Sequence, residues 1–413
     1  MIRLFVLVLI LVNSLFGCKM PMPPDDPCPP DCPEDTIKYP LDVVWETYFY
    51  KDSSDILSCS LPASYKDNII FAGVNFTGDD YYHSWMFNKT TGKLIAKFDY
   101  GLNPPENLVV MNDWLIASAL DGIYIYDLNT FERILHLDET FERRFDTLGN
   151  DIYFVQFYGE VPFVDSSSVI RMTIPTLEIK KIFTITKKKY GGYSSLNPPT
   201  VEALEGDTII YCQADTDFPY PLFAYSVNKK DFVWVNRDIM SAGDAYFNGP
   251  LYDDKHIYTV HNHIARAYDK FTGKSVWQTP LEGFYRPVKP LLLDGNLYMK
   301  ANNYHLYCLN AKSGVILWHN NRAGNMHANM LGYDDINFYY SDEAHFYVVR
   351  RYSGKVIFKE KGPYQKIDLD NLKESEREFS KWVAAIPIID REKRVIYLHD
   401  GKRMFCFKMK DDW

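Results

Sequence analysis

Basic clusters are scarce in this 413-residue sequence: no run of cations exceeds Lys187, Lys188 and Lys189, and 45 Lys and Arg face 54 Asp and Glu. The resulting net charge of −9 is spread over many short turns. That gives a phosphate backbone little to hold and argues against a nucleic-acid partner. Long apolar runs are missing too. The one at residues 4–12 is too short to cross a bilayer comfortably, so a multi-span membrane protein is excluded. There is no Gly-x-Ser-x-Gly elbow, no glycine-rich phosphate loop and no zincin helix, and hence no enzyme signature. Hydrophobic residues, by contrast, make up 46% of the chain, with 31 Tyr, 26 Phe and 8 Trp. This is enough apolar surface for a large soluble core.

The first residues read as an export signal. Arg3 precedes the apolar run, and Leu15, Gly17 and Cys18 resemble the lipobox of bacterial lipoproteins, in which the cysteine becomes the lipidated mature N-terminus. The expectation is a signal peptide at 1–17, lipidation at Cys18, and export to the bacterial cell envelope with anchoring at the outer membrane. A plain cleaved signal with an incidental Cys18 is the alternative. Residues 18–40 are rich in Pro and Asp, cannot pack, and form a tether. Cys28 and Cys32 lie within it, where a disulfide, metal capture or no bond at all are each compatible with the spacing.

From residue 41 to 413 the chain repeats one unit: three short apolar strands separated by polar breaks, a Thr-Gly-Lys-like turn, and a strand often closed by Trp. The clearest copies turn at Thr272, Gly273 and Lys274, at Ser313 and Gly314, and at Ser353, Gly354 and Lys355, with glycines 41 and then 40 residues apart. Glycine suits a tight hairpin because it tolerates positive φ. Weaker copies turn at Gly92, Phe131, Leu177 and Lys230. An earlier turn in each unit begins near Asn68, Asp113, Asp151, Asp207, Lys255, Asn296, Asp335 and Lys393. A repeat of this length is that of four-stranded propeller blades.

Two details support the count of eight. Pro62, Pro105, Pro199, Pro250, Pro290 and Pro387 fall at the start of the expected innermost strand, a sheet edge where a missing N–H costs no ladder bond. The last unit lacks its outer strand, while Val43, Val44, Trp45 and Glu46 match that strand's pattern. The expected fold is therefore all-β: a single eight-bladed propeller of four-stranded antiparallel blades, closed by the N-terminal strand, which removes open sheet edges.

The Ala-x-Asp-x-x-Thr-Gly-Lys-x-x-Trp form of residues 267–277 resembles the PQQ-like repeat, shared by quinoprotein dehydrogenases and by non-enzymatic propellers. Together with the lipobox and eight blades, the body from Val43 resembles the BamB family of outer-membrane assembly lipoproteins. That resemblance implies a non-catalytic scaffold with a protein partner in the envelope and no cofactor. The dehydrogenase branch would imply a quinone, a divalent metal and usually a vicinal Cys-Cys disulfide, and the sequence has no Cys-Cys pair. Cys59, Cys212, Cys308 and Cys406 fall on separate blades and read as buried thiols.

His83, His305 and His345 share one position, five residues before the end of the third strand, and His261 and His263 lie near the corresponding turn of the fifth unit. Placed on different blades, they read as solvated turn histidines and not as metal ligands, although a His-x-His pair puts both rings on one face. Adjacent carboxylates such as Asp79 and Asp80 read as turn polarity. Two segments stand outside the repeat. Residues 368–383 place Leu369, Leu372, Phe379 and Val383 on one face of a short amphipathic helix beside Trp382, and residues 183–199 include Tyr190 and Tyr193 in a basic, aromatic loop. Leu372, Phe379, Trp382, Tyr190 and Tyr193 are the candidate partner-binding residues. A glycan or other small ligand at the channel mouth is the alternative reading.

Overall fold

The computed structural model describes residues 41–48, 56–58, 62–75, 82–101, 105, 107–119, 121–138, 141–160, 163–186, 195–215, 221–237, 249–261, 263–283, 290–301, 304–324, 331–342, 345–361, 387–400 and 403–413. Cys18, Cys28, Cys32, Tyr190, Tyr193, Leu372, Phe379 and Trp382 all lie outside the described residues, as do Cys59, Asp79 and Asp80.

Every regular element among the described residues is a strand, and the strands form eight antiparallel sheets. Blade 2 shows the plan: Asn107–Met111, Trp114–Ala119, Gly122–Asp127 and Arg133–Asp138 pair in sequence order from the innermost strand outward. Blades 3, 5, 6 and 7 repeat it. In blades 1 and 4 the innermost place is filled by two short strands, Ile56–Ser58 with Ala63–Tyr65 and Ser195–Leu196 with Thr200–Leu204. The innermost strands of neighbouring blades touch, for example Ala63–Tyr65 with Asn107–Met111, so they line the centre of the ring. Each of the six prolines named above precedes an innermost strand, as the missing N–H requires.

Closure follows the sequence expectation. Val43–Tyr48 pairs antiparallel with Arg403–Lys408 as the outer strand of blade 8, setting Trp45 opposite Cys406. Alternation along the inner strands sends successive side chains to the two neighbouring blades, so each interface is a sheet-on-sheet core. Ile69, Phe71, Trp85 and Phe87 of blade 1 pack against Tyr397, Met404 and Cys406 of blade 8, which closes the ring. Cys212, Cys308 and Cys406 are buried thiols in these layers. Burial pushes the Cys308 thiol up to about 11 and the Cys406 thiol up to about 12, so both stay protonated and unreactive at neutral pH.

Candidate functional site

A four-stranded meander divides its connections between two rims. The turns from first to second strand and from third to outer strand emerge on one face of the ring; those from second to third strand, and from each blade to the next, emerge on the other. We call these the turn face and the loop face.

The turn face is uniform. Its third-to-outer connections are all four or five residues long. The residue ending the third strand caps the turn: Asn88 Oδ1 accepts from the Thr91 N–H at 3.0 Å, Asp269 Oδ1 from the Thr272 N–H at 2.8 Å, and Asn310 Oδ1 from the Ser313 N–H at 3.0 Å. A residue at positive φ follows in each: Gly92, Phe131, Leu177, Lys230, Gly273, Gly314 and Gly354. At four of these turns the indole from the preceding blade's outer strand lies on the glycine, pairing Trp45 with Gly92, Trp234 with Gly273, Trp277 with Gly314 and Trp318 with Gly354. A Cβ on Gly314 would stand 2.6 Å from the Trp277 ring. The indole N–H groups of Trp45, Trp234 and Trp277 donate to the carbonyls of Lys89, Lys270 and Ala311 at 3.0, 2.8 and 2.9 Å.

Where the indole is missing the glycine is missing too. Blade 1 has Ala96 in the indole register, and Phe131 fills the gap, meeting Phe98 edge-on at 6.4 Å. Blade 7 has Phe358 there, and the C-terminal Trp413 meets it at 4.9 Å. The third-to-outer turns are thus blade-to-blade locks built from backbone, capping side chains and apolar rings, and ion pairs such as Lys270 with Glu202 and Arg351 with Asp294 sit at the same face.

On the loop face the blade-to-blade connections range from residues 139–140 to residues 362–387. Both segments that stand outside the repeat belong to this set. Tyr190 and Tyr193 fall in the sequence between blades 3 and 4, and Leu372, Phe379 and Trp382 in that between blades 7 and 8; the described strands flanking both stretches end and begin at the loop face. Residue 43 begins an outer strand, which starts at the turn face, so the N-terminal segment joins the ring on the opposite side.

Several polar groups line the described part of this face in blades 6 to 8. Asp342 Oδ1 accepts from the His345 N–H at 2.6 Å and its Oδ2 from the Tyr347 hydroxyl at 2.7 Å; Asp400 repeats the cap on the Arg403 N–H at 2.7 Å and pairs with the Arg403 guanidinium at 2.8 Å. Lys300 is fully buried, donating to the Gly324 carbonyl at 2.8 Å, and loss of water brings its ammonium down to about 7 against the opposing pull of Asp342. His305 Nδ1 and His319 Nε2 lie 2.9 Å apart, and the His319 ring stacks on Tyr307 at 3.9 Å. Burial, then the charge of Lys300 on His305 and the neighbouring ring on His319, hold both imidazoles below the ordinary histidine value. The repeat position flagged His305; His319, on an outer strand, carried no such signal.

One expectation is corrected. His83 is not a solvated turn residue: it lies within Tyr82–Asn88, is 6% exposed, and sets its Nδ1 against the Asp99 carboxylate on the paired strand. His345 likewise lies in a strand, His345–Arg350, so in blades 1 and 7 the shared position belongs to the third strand and not to the turn before it. His345 is half-buried beside Asp342, and His263 is exposed. Among the described residues no three His, Cys, Asp or Glu side chains converge on a point where a metal could sit.

A family model described as outer membrane protein assembly factor BamB matches residues 232–357. That stretch runs from the outer strand of blade 4 through blade 7 and contains three of the four indole–glycine locks. Over that stretch the chain is similar to the BamB-type PQQ repeat. Similar solved structures include BamB from Moraxella catarrhalis, at 11% identity with TM-score 0.54, covering 89% of this chain and 99% of that one. Sqt1 from Saccharomyces cerevisiae, at 8% identity and TM-score 0.62, covers 90% of this chain and is covered completely. The computationally designed protein Ika8 has 10% identity and TM-score 0.58, with 90% of this chain and 100% of that one covered. At these identities the likeness is one of fold. No curated protein matches the sequence.

Proposed function

We propose that the chain is a non-catalytic, lipid-tethered propeller that presents its loop face to a protein partner in the bacterial cell envelope, in the manner of a BamB-type assembly scaffold. The observation that carries this reading is the placement of length variation. The described strands that flank residues 187–194 and 362–386 end and begin at the loop face, while Val43–Tyr48 begins at the turn face. A chain anchored through Cys18 then has its variable surface directed away from the attachment side, within the span of an extended Pro-rich arm. Confinement by the lipid raises the effective concentration for membrane partners, and Tyr190, Tyr193, Leu372, Phe379 and Trp382 supply aromatic and apolar anchors of the kind that dominate interfaces.

Brief crosslinking of the tagged chain in intact cells, with Cys18→Ser as the unanchored control, tests this. Co-purification of an outer-membrane barrel or its assembly machinery, lost in the control, is the expected result. Equal recovery with and without Cys18 would remove the anchor from the account, and no enrichment of any envelope protein would remove the scaffold.

A further inference from the structure

The eight blades provide an internal alignment, because strand pairing fixes which residues share a position. At the third-strand position three residues before the closing polar residue, facing the preceding blade, six blades place a buried ring: Trp85, Tyr124, Phe223, Tyr307, Tyr347 and Phe405; blade 3 has the buried Ile170. Blade 5 has Arg266. Its paired neighbour on the second strand is Thr259, where the other blades carry apolar or aromatic residues such as Phe71, Met299 and Leu398. One blade has therefore exchanged an apolar pair for a guanidinium and a hydroxyl at a position the fold otherwise reserves for packing.

The exchange leaves both groups unsatisfied. Arg266 and Thr259 are each 7% exposed, and among the described residues neither Arg266 Nη1 nor Thr259 Oγ1 has a hydrogen-bond partner. Because the two residues are directly paired across adjacent strands, their side chains lie together on one face of the sheet. That face meets blade 4, where Tyr211 and Leu222 belong to the shared core layer and the buried Gln213 follows on the same side of its strand. Two other buried cations, Lys270 and Arg351, have carboxylate partners. Lys270 Nζ reaches the Glu202 carboxylate at 2.9 Å, and Arg351 donates to the Asp334 carbonyl at 2.8 Å and pairs with Asp294. For Arg266 no ion pair occurs among the described residues. Water could occupy the hydrogen-bonding positions but would not offset the buried charge.

We propose that the interface between blades 4 and 5, at Arg266 and Thr259, is a binding site for a carboxylate. A single guanidinium matches the single negative charge and the planar two-oxygen geometry of a carboxylate, while Thr259 Oγ1 offers a further donor. A phosphate dianion would bring a second charge that this layer does not balance. Thr259 and Arg266 each lie three residues from the second-to-third connection of blade 5, on the loop-face half of the interface. The inference is independent of the scaffold reading: it concerns a pair of buried groups and holds whether the carboxylate belongs to a free acid or to an acidic side chain of a protein.

The test is titration of the purified full chain with sodium acetate, with inorganic phosphate, and with a short blocked peptide carrying one glutamate, at constant ionic strength balanced with chloride. Heat of binding and melting temperature are both followed. Acetate is expected to give a saturable rise in Tm that chloride does not. Arg266→Phe, which installs the ring of the other blades, is expected to melt higher than wild type without acetate and to lose the acetate response. Thr259→Val, a change of similar shape, should keep the fold and weaken acetate binding several-fold, which guards against a folding defect in the first variant. Peptide binding tighter than acetate assigns the carboxylate to a partner protein, and binding no tighter assigns it to free acids. No saturable acetate response in wild type, an unchanged response in Arg266→Phe, or phosphate binding tighter than acetate would each overturn the proposal.

Discussion

The two faces of the ring are built from the same strands and differ in what joins them. On the turn face, seven third-to-outer turns keep a length of four or five residues and a positive-φ residue at a fixed place, and four are capped by an indole from the neighbouring blade. On the loop face the blade-to-blade connections run from residues 139–140 to 362–387. Turns that lock one blade to the next cannot vary without opening the ring, whereas connections that only have to reach the next blade can lengthen at little entropic cost. Stability is concentrated where the repeat is strict, and specificity is free to develop where it is not.

The comparison is broken most directly by exchanging what the faces tolerate. Gly314→Val puts a branched side chain at φ 71°, with its Cβ inside the Trp277 ring. It should cost about 3 kcal/mol or more in denaturant unfolding. Removal of residues 369–383 from the loop face should change stability by about 0.5 kcal/mol or less while abolishing partner capture. If the deletion costs as much as the glycine substitution, the faces are not different in kind. Trp277→Ala removes a half-buried indole and its hydrogen bond to the Ala311 carbonyl, and should cost about 2–3 kcal/mol by the same measurement.

Titration sharpens the comparison within the cores. The fully buried His399 holds its pKa down near 4 by exclusion of water, with Asp400 opposing. The unfolded chain takes up that proton near 6.5 while the folded chain refuses it, so stability falls as pH drops from about 6.5 to 4, and His399→Leu should flatten that slope. Lys300 behaves in the same sense at higher pH. With a folded value of about 7 against 10.5 unfolded, its contribution is lost as pH falls from 10.5 to 7, so melting temperature should rise between pH 7 and 9.5 and rise less in Lys300→Met. The smallest effect is expected for Phe131→Gly. Release of a positive-φ ring is offset by loss of its contact with Phe98, leaving a change of about 1 kcal/mol or less.

Most of the architecture was legible because its determinants are local and repeated. Gly273, Gly314 and Gly354 mark a turn whose period counts the blades, and the pattern of Val43 to Glu46 announces the strand that closes them. The docking of Trp277 on Gly314 was less visible, since the two belong to different blades and no short window contains both. His83 was misread because strand ends are set by pairing with Asp99, a contact between strands that the turn pattern does not encode. Arg266 was passed over for a related reason. Within its own strand, Ile264–Asp269, it is one cation among small residues, and only the structural register sets it in a column of buried rings. The candidate partner-binding residues Tyr190, Tyr193, Leu372, Phe379 and Trp382 were found as departures from the repeat, and they lie outside the described residues.

The most direct measurement is photocrosslinking from single positions in living cells, with the reactive side chain placed in turn at Tyr193 and Trp382 on the loop face and at Phe271 and Lys312 on the turn face. Adducts with an envelope protein confined to the loop-face positions are the predicted result. Adducts of equal yield from Phe271 or Lys312, or from those positions alone, would contradict the division of labour between the two faces.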